Sequence, residues 1–580
     1  MRLPTISPLI PTLALAAGAL SSPLTTYTNP LFPGWHSDPS CVYVSSQETF
    51  FCVASTFIAF PGLPLYASKD LQHWELASNI FNRPSQIPDL AQTTNQQGGI
   101  YAPTLRYRDG TFYLIVSNLG PDVTGLVFTS TDPYSEDVWS EPLVFPVYGI
   151  DPDIFFEDDG GVYVSSADNN MIHHYSLDLE TGEIGPVTYL WNGTGGAYPE
   201  GPHLYKKDGY YYLLIAEGGT ETNHAVTMAR SKSRTGPWEP NPHNPVLTNK
   251  NTTEYFQTVG HADLFQDGSG NWWGVALSTR SGPEWERYPM GRETILTSGT
   301  WEKGTWPVLK QVEGVMRGPL PKSHTVKNPI KQPEHLTFAP GSELPGNLLY
   351  WRYPDVESYV ISPRGYLNTL RLTPSTFGPS YNTSSDTAPI TFVSRRQTDT
   401  LFSYSVDLEF NPETAGVEAG VSVFITQEQH IDISVVDLVG SHKERSRAVQ
   451  LKITGRGNYD GPLRNITTQL PRSWGGKKVT LAVEALDDEE YQFSIRLPGR
   501  KGEKIYIGSV DNRVVSGDTG RFTGTLVGVY ASRGGHAPTS VTSLGGGNGK
   551  GKKSDFAYFS NWRYKGLGQK IDHDLIVPSY

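Results

Sequence analysis

At 580 residues the chain is too long for one ordinary hydrophobic core, so at least two domains are expected. A formal net charge of −12, with no long basic run, argues against nucleic acid or an anionic membrane surface as partner and fits a neutral substrate. With only two cysteines, cysteine-held metal chemistry is excluded, while 59 Gly, 44 Pro, 31 Tyr and 13 Trp suit a turn-rich β protein.

Arg2 followed by the apolar stretch Leu9 to Leu20, with Ala17-Gly18-Ala19, reads as a secretory signal peptide over residues 1–19. That places the mature protein outside the cell, and no later segment is long and apolar enough to span a bilayer. Sequons at Asn192, Asn251, Asn382 and Asn465 fit a secreted glycoprotein.

From Asn29 a two-part phrase recurs. A short polar step enters a hydrophobic strand, and about a dozen residues later a second strand opens on aromatics. The five copies run Ser37-Asp38-Pro39 to Phe50-Phe51, Tyr101-Ala102-Pro103 to Phe112-Tyr113, Ile150-Asp151-Pro152 to Tyr163, Pro199-Glu200-Gly201 to Tyr211-Tyr212, and Gly260-His261-Ala262 to Trp272-Trp273. Strand hairpins repeating every 49 to 62 residues read as propeller blades. Asp109-Gly110, Asp159-Gly160, Asp208-Gly209 and Asp267-Gly268 supply the tight turns between first and second strands. Trp74, Trp139 and Trp238 close each outer turn and are expected to pack between blades. In the first copy, Cys41 and Cys52 flank a hairpin centred on Ser46-Gln47. They would lie opposite each other, and a disulfide is favoured over two buried thiols.

The Pro- and Lys-bearing stretch 319–334 reads as a linker after a propeller spanning 29–318. Beyond it, period-two strands take over at Tyr404 to Phe410, Val421 to Ile425, Ile431 to Val436, Val449 to Ile453, Val479 to Leu486 and Tyr491 to Leu497. They predict a β-sandwich over 335–580, with Gly534 to Lys553 as a surface loop. The fold class is therefore all-β, a five-bladed propeller followed by a sandwich.

Blades aim the start of their first strand at a common axis. Asp38, Asp151 and Glu200 fall at matching positions and should converge there. Each alone reads as a turn residue, but a structural turn has no need of carboxylates facing one channel. Asp89, Asp109, Asp137 and Asp263 match the placement less well and read as solvated or structural.

The order Asp38-Pro39, Tyr101-Ala102-Pro103, Ile150-Asp151-Pro152, Glu200-Gly201-Pro202-His203, Gly260-His261 and Gly291-Arg292-Glu293-Thr294 resembles glycoside hydrolase family 43. The resemblance covers the whole mature chain, and the tail resembles the concanavalin A-like domain of exo-acting members. It implies Asp38 as general base, Glu200 as general acid, and Asp151 as the carboxylate that orients the acid and raises its pKa. It also implies that Arg292 bonds the terminal sugar, against the alternative of a salt bridge to a blade carboxylate. Phe57 and Tyr101 would line the first subsite, against the alternative of ordinary core. His261 would face the axial channel, as a substrate neighbour or as a candidate ligand for a structural calcium; the alternative is a satisfied core histidine. No cofactor is required.

The implied activity is exo-acting, inverting release of terminal α-L-arabinofuranosyl or β-D-xylosyl units from plant cell-wall arabinoxylan or its oligosaccharides. Three other readings compete: an endo-arabinanase, a retaining fructan hydrolase, and a non-catalytic carbohydrate-binding propeller. The fructan family would show Arg-Asp-Pro and Glu-Cys where this chain has Ile150-Asp151-Pro152 and Glu200-Gly201.

Overall fold

The computed structural model describes residues 24–322, 332–379, 387–439, 445–499, 504–534 and 555–579. The expected signal peptide, the middle of the linker, the Asn382 sequon and nearly all of the Gly534 to Lys553 tract lie outside the described residues. Among the described residues every regular element is a β-strand or a short 3₁₀ turn.

Five four-stranded antiparallel sheets follow one another along the chain. Their innermost strands are Ser40–Val44, Gly99–Arg108, Ile150–Phe156, Glu200–Lys207 and Phe256–Gln266, and neighbouring inner strands touch in a closed ring. The repeat aromatics hold the blades apart. Phe51, Phe112, Tyr212 and Trp273 are fully buried, and Tyr163 is half-buried. Trp74 and Trp139 are buried as expected for outer-turn residues, and Trp238 is half-buried.

Two of the four Asp-Gly turns take the expected form. Asp109 and Gly110 (φ 50 and 87) and Asp208 and Gly209 (φ 52 and 74) are left-handed at both central positions. Blades three and five use longer loops instead, with positive φ at Gly160 and Gly270. There Asp267 takes a different job. Its carboxylate accepts from the backbone of Ser269 and Asn271 (both 2.9 Å) and from Trp273 Nε1 (3.1 Å).

The ring closes through a segment ahead of the first blade. Thr25–Thr28 pairs with Val315–Gly318, so the propeller begins before Asn29. Asn29 then exchanges side-chain hydrogen bonds with the Leu296 backbone in blade five. Tyr27, Phe32 and Trp74 pack with Phe265, Trp273 and Leu296 in a core that spans blades one and five. Cys41 and Cys52 are directly opposed on adjacent strands and joined by a disulfide.

The second domain is a sandwich of a nine-stranded and an eight-stranded sheet over one large aliphatic and aromatic core. It starts by Glu334, since Glu334–Leu336 pairs with Ala557–Asp572. All six expected strands are present, most of them longer than the alternating run that announced them. The central, longest strand, Ala557–Asp572, was not among them. Nor is the boundary between domains a gap. Ala59–Phe60 of blade one pairs with Leu349–Trp351 and forms the edge of the eight-stranded sheet. Trp35, Phe57, Phe60 and Phe81 share a single core with Trp351, Phe392, Phe424 and Tyr530.

Candidate active site

The registers of the inner hairpins fix which positions are equivalent. Ser40, Thr104, Asp153, His203 and Asp263 oppose Val53, Ile115, Ser165, Leu214 and Val275, and in blades two to five a register shift precedes them. Two residues upstream in every blade lies a left-handed residue: Asp38, Ala102, Asp151, Gly201 and His261, with φ of 52, 42, 56, 56 and 50. This repeated bulge turns the chain at the axis and aims side chains into the mouth. It also corrects the alignment read from sequence. Glu200 stands one step before Gly201, in register with Tyr101 and Ile150, not with Asp38 and Asp151. The consequence is different exposure: Asp38 and Asp151 are each 6 % exposed, whereas the Glu200 side chain keeps 20 % of its surface open.

The three carboxylates do come together. Asp38 Oδ2 accepts from Ser55 Oγ at 2.7 Å, and its Oδ1 lies 3.7 Å from both Arg292 Nη1 and His261 Nδ1. Asp151 Oδ2 accepts from the backbone N–H of Gly201 at 3.0 Å, which ties it to the residue immediately after Glu200. Burial, then the charge of Asp38, pushes the Asp151 carboxyl up to about 7. Burial, then the charge of Asp151, pushes Glu200 up to about 7. Two carboxyls so placed cannot both ionise cheaply, and one proton stays with the pair near neutrality. His224 Nε2 lies 3.9 Å from Glu200 Oε1, and burial holds this imidazole down at about 3, so it stays neutral. Burial likewise lowers His261.

Beneath this layer the next axial positions form an ion network. Arg106 pairs with Asp153 at 2.7 Å and Asp263 at 2.8 Å, and approaches His203 Nδ1 at 3.1 Å. Ser40 Oγ and the Tyr205 hydroxyl donate to Asp263. These bonds cross blades one, two, three, four and five at one level, and so brace the floor under the carboxylates.

Arg292 is held from two sides. Its Nη2 donates to Thr220 Oγ1 at 2.5 Å, and its guanidinium lies 4.4 Å from the ring centre of Phe522, a residue of the sandwich. Tyr101 is half-buried at the mouth and lines a cleft of about 470 Å³ together with Gln97, Trp285, Tyr288, Arg521 and Phe522. Phe57 does not line it. Only 1 % exposed, it packs against Trp35 and sets its ring 4.7 Å from Tyr101, so it backs the mouth wall instead of facing a sugar. Ser55, Thr220, His224 and Phe522 were not legible as site residues. They lie outside the repeated phrase, and Phe522 is distant in sequence from every blade.

Among the described residues no three His, Cys, Asp or Glu side chains are grouped as a ligand set, and the His261 ring is packed against Gly201. No step is assigned to a calcium ion at His261.

Residues 27–307 match Glycosyl hydrolases family 43, and residues 337–561 match the Beta xylosidase C-terminal Concanavalin A-like domain. The chain is 35 % identical over 527 residues to a non-reducing end alpha-L-arabinofuranosidase of Bacteroides ovatus, covering 89 % of this chain and 93 % of that one. It is 31 % identical over 574 residues to a beta-xylosidase of Bacillus subtilis, covering 93 % and 99 %. Among solved structures, the GH43B protein of a Bacteroides ovatus xyloglucan locus superposes with a TM-score of 0.80 at 32 % identity, over 94 % of this chain and all of that one.

Proposed function

The chain belongs to glycosyl hydrolase family 43 and is a glycosidase, and we propose that it is an exo-acting, inverting enzyme releasing terminal α-L-arabinofuranosyl or β-D-xylosyl units from arabinoxylan fragments. The observation that carries the reading is the geometry of the carboxyl set, in which Asp38 and Asp151 are buried and Glu200 alone stays open to the mouth. Glu200, raised to about 7 and still open to the mouth, suits a general acid. Asp38, accepting from Ser55 and facing the Arg292 guanidinium, suits a base that activates water. Asp151 orients the acid through the Gly201 N–H and keeps its proton on through like charge.

In the proposed reaction water attacks the anomeric carbon as Asp38 takes its proton, and Glu200 protonates the departing oxygen on the opposite face. Arg292, fixed by Thr220 and Phe522, bonds the terminal sugar. The reach of the sandwich into the mouth, through Arg521 and Phe522, favours a pocket that admits a chain end over the open groove of an endo-acting enzyme. Secretion is supported by the residue 1–19 signal sequence and by the Cys41–Cys52 disulfide, which an oxidising compartment maintains.

The purified protein is to be assayed side by side on aryl α-L-arabinofuranoside and aryl β-D-xyloside, then on arabinoxylan, with proton NMR of the first-formed sugar. Inversion releases the α-anomer first from the β-xyloside and the β-anomer first from the α-arabinofuranoside; early appearance of the anomer that keeps the substrate's configuration would overturn the proposed mechanism.

A further inference from the structure

Tyr198 is the most exposed aromatic ring among the described residues, with 65 % of its surface open. Its φ is 52, a left-handed conformation that costs a bulky residue, and Pro199 after it narrows the allowed backbone further. Such a conformation persists only where its surroundings impose it, and both flanks here are clamped. The Ala197 carbonyl accepts from the N–H groups of Gly218 (2.7 Å) and Gly219 (3.1 Å), and Glu200 pairs with Ala216 in the first rung of the blade-four hairpin. The ring itself has no such anchor. Tyr148 and Tyr189 are also exposed on blade three, but each rests on His173; Tyr198 makes no ring contact among the described residues. Its edge runs beside Gly219, next to the Thr220 that holds Arg292, and it lies two residues from Glu200.

An unpartnered aromatic ring on a clamped backbone, two residues from the acid, has a defined use. The carbon–hydrogen face of a pyranose is apolar and packs flat on such a ring while its hydroxyls stay wet. We propose that Tyr198 is the stacking platform for the sugar on the leaving-group side of the scissile bond, and so sets the preference for oligosaccharide over small leaving groups. The proposal rests on the reading of Glu200 as the acid, because that residue marks the leaving-group side.

The test compares two substrates: a xylotetraose, plain or arabinosylated, and the glycosyl fluoride of the same released sugar, which places nothing on the leaving-group side. In Tyr198→Gly the ratio of kcat/KM for the oligosaccharide to that for the fluoride should fall about three- to tenfold, mostly through KM. Glycine takes the left-handed φ without strain, so thermal unfolding should not fall, and a damaged fold cannot account for the loss. Tyr198→Phe keeps the ring and should keep the ratio. An unchanged ratio in Tyr198→Gly, or an equal fall in Tyr198→Phe, overturns the platform while leaving the enzyme's activity as assigned. A wild-type protein inactive on both substrates overturns the functional reading itself, and the platform with it.

Discussion

Exchange of one oxygen for an amide separates the roles of the three carboxyls. Asp38→Asn and Glu200→Gln should each lower kcat by about 10²–10⁴-fold with unfolding temperatures near wild type, since a positioned base or acid contributes that much. Only Glu200→Gln should recover on aryl glycosides with very acidic leaving groups, which depart without a proton. Asp151→Asn has a different signature. Its charge helps hold Glu200 up at about 7, so removing it lets Glu200 ionise at lower pH. The basic limb of the kcat/KM profile should therefore move to lower pH and narrow the active range from above; an unmoved basic limb would remove Asp151 from that role. The three carboxyls were legible because each sits inside the repeated phrase. Their inequality was not: sequence spacing placed Glu200 level with Asp151, and only the bulge shows that it projects one step earlier. Phe57 falls to its alternative, ordinary core, because an aromatic near the axis looks the same in sequence whether it faces the mouth or the core.

At the level of the strand, the recurring bulge is what gathers the site, and its residues have little freedom. A Cβ on Gly201 would lie 2.9 Å from the His261 ring, and its φ of 56 already costs an L-residue about 1–2 kcal/mol. Gly201→Ala should thus lower the unfolding temperature and also kcat, because the shifted N–H no longer positions Asp151 against Glu200; an alanine variant of full activity would show that the bulge is not needed for alignment. The network one layer down has a larger stake. Burial pushes Asp263 up, but Arg106, His203 and the hydroxyl of Ser40 outweigh it and hold the carboxyl at about 2. Its folded pKa lies below the unfolded value, so this stabilisation is complete above about pH 4 and is lost as pH falls towards 2. Arg106→Met leaves Asp153 and Asp263, both 0 % exposed, without their cation and should cost about 3–5 kcal/mol in urea unfolding at pH 7. A loss below about 1 kcal/mol would show that the two aspartates are compensated elsewhere. Hairpin periodicity made the blades and six sandwich strands readable. Ala557–Asp572 escaped because its alternation breaks at Asn561, where φ is 54 and the register with Leu401–Glu409 slips, so buried Phe559 and Trp562 fall out of phase.

For the whole molecule the question is whether the sandwich is an appendage or part of the enzyme. In sequence the stretch 319–334 reads only as a linker, and no local pattern could reveal how closely the domains dock, because the contacts join residues hundreds of positions apart. Trp351 Nε1 donates to Gln96, Arg396 Nε to the Trp35 carbonyl, and Arg280 Nη1 to the Lys570 carbonyl, while the Thr525 N–H reaches the Pro289 carbonyl. Gly291, directly before Arg292, is pressed so tightly on Thr523 that a Cβ there would lie 1.8 Å from its carbonyl oxygen. A propeller expressed as residues 24–322 would therefore expose Trp35, Phe60 and Phe81, each worth about 1.5–3 kcal/mol of burial, and would lose the Phe522 ring from under Arg292. It should be insoluble, or soluble and nearly inactive even on aryl glycosides. A stability loss alone could produce that result, so the full-length Phe522→Ala variant supplies the second measurement. It keeps the buried members of the shared core and removes the cation–π support, worth about 0.5–2 kcal/mol, with the ring's packing at the edge of that core, so kcat/KM on aryl glycosides should fall about two- to thirtyfold with only a small drop in unfolding temperature. A soluble 24–322 fragment with full aryl-glycosidase activity, or a Phe522→Ala enzyme indistinguishable from wild type, would mean that the sandwich serves attachment to polysaccharide and that the propeller builds its pocket alone.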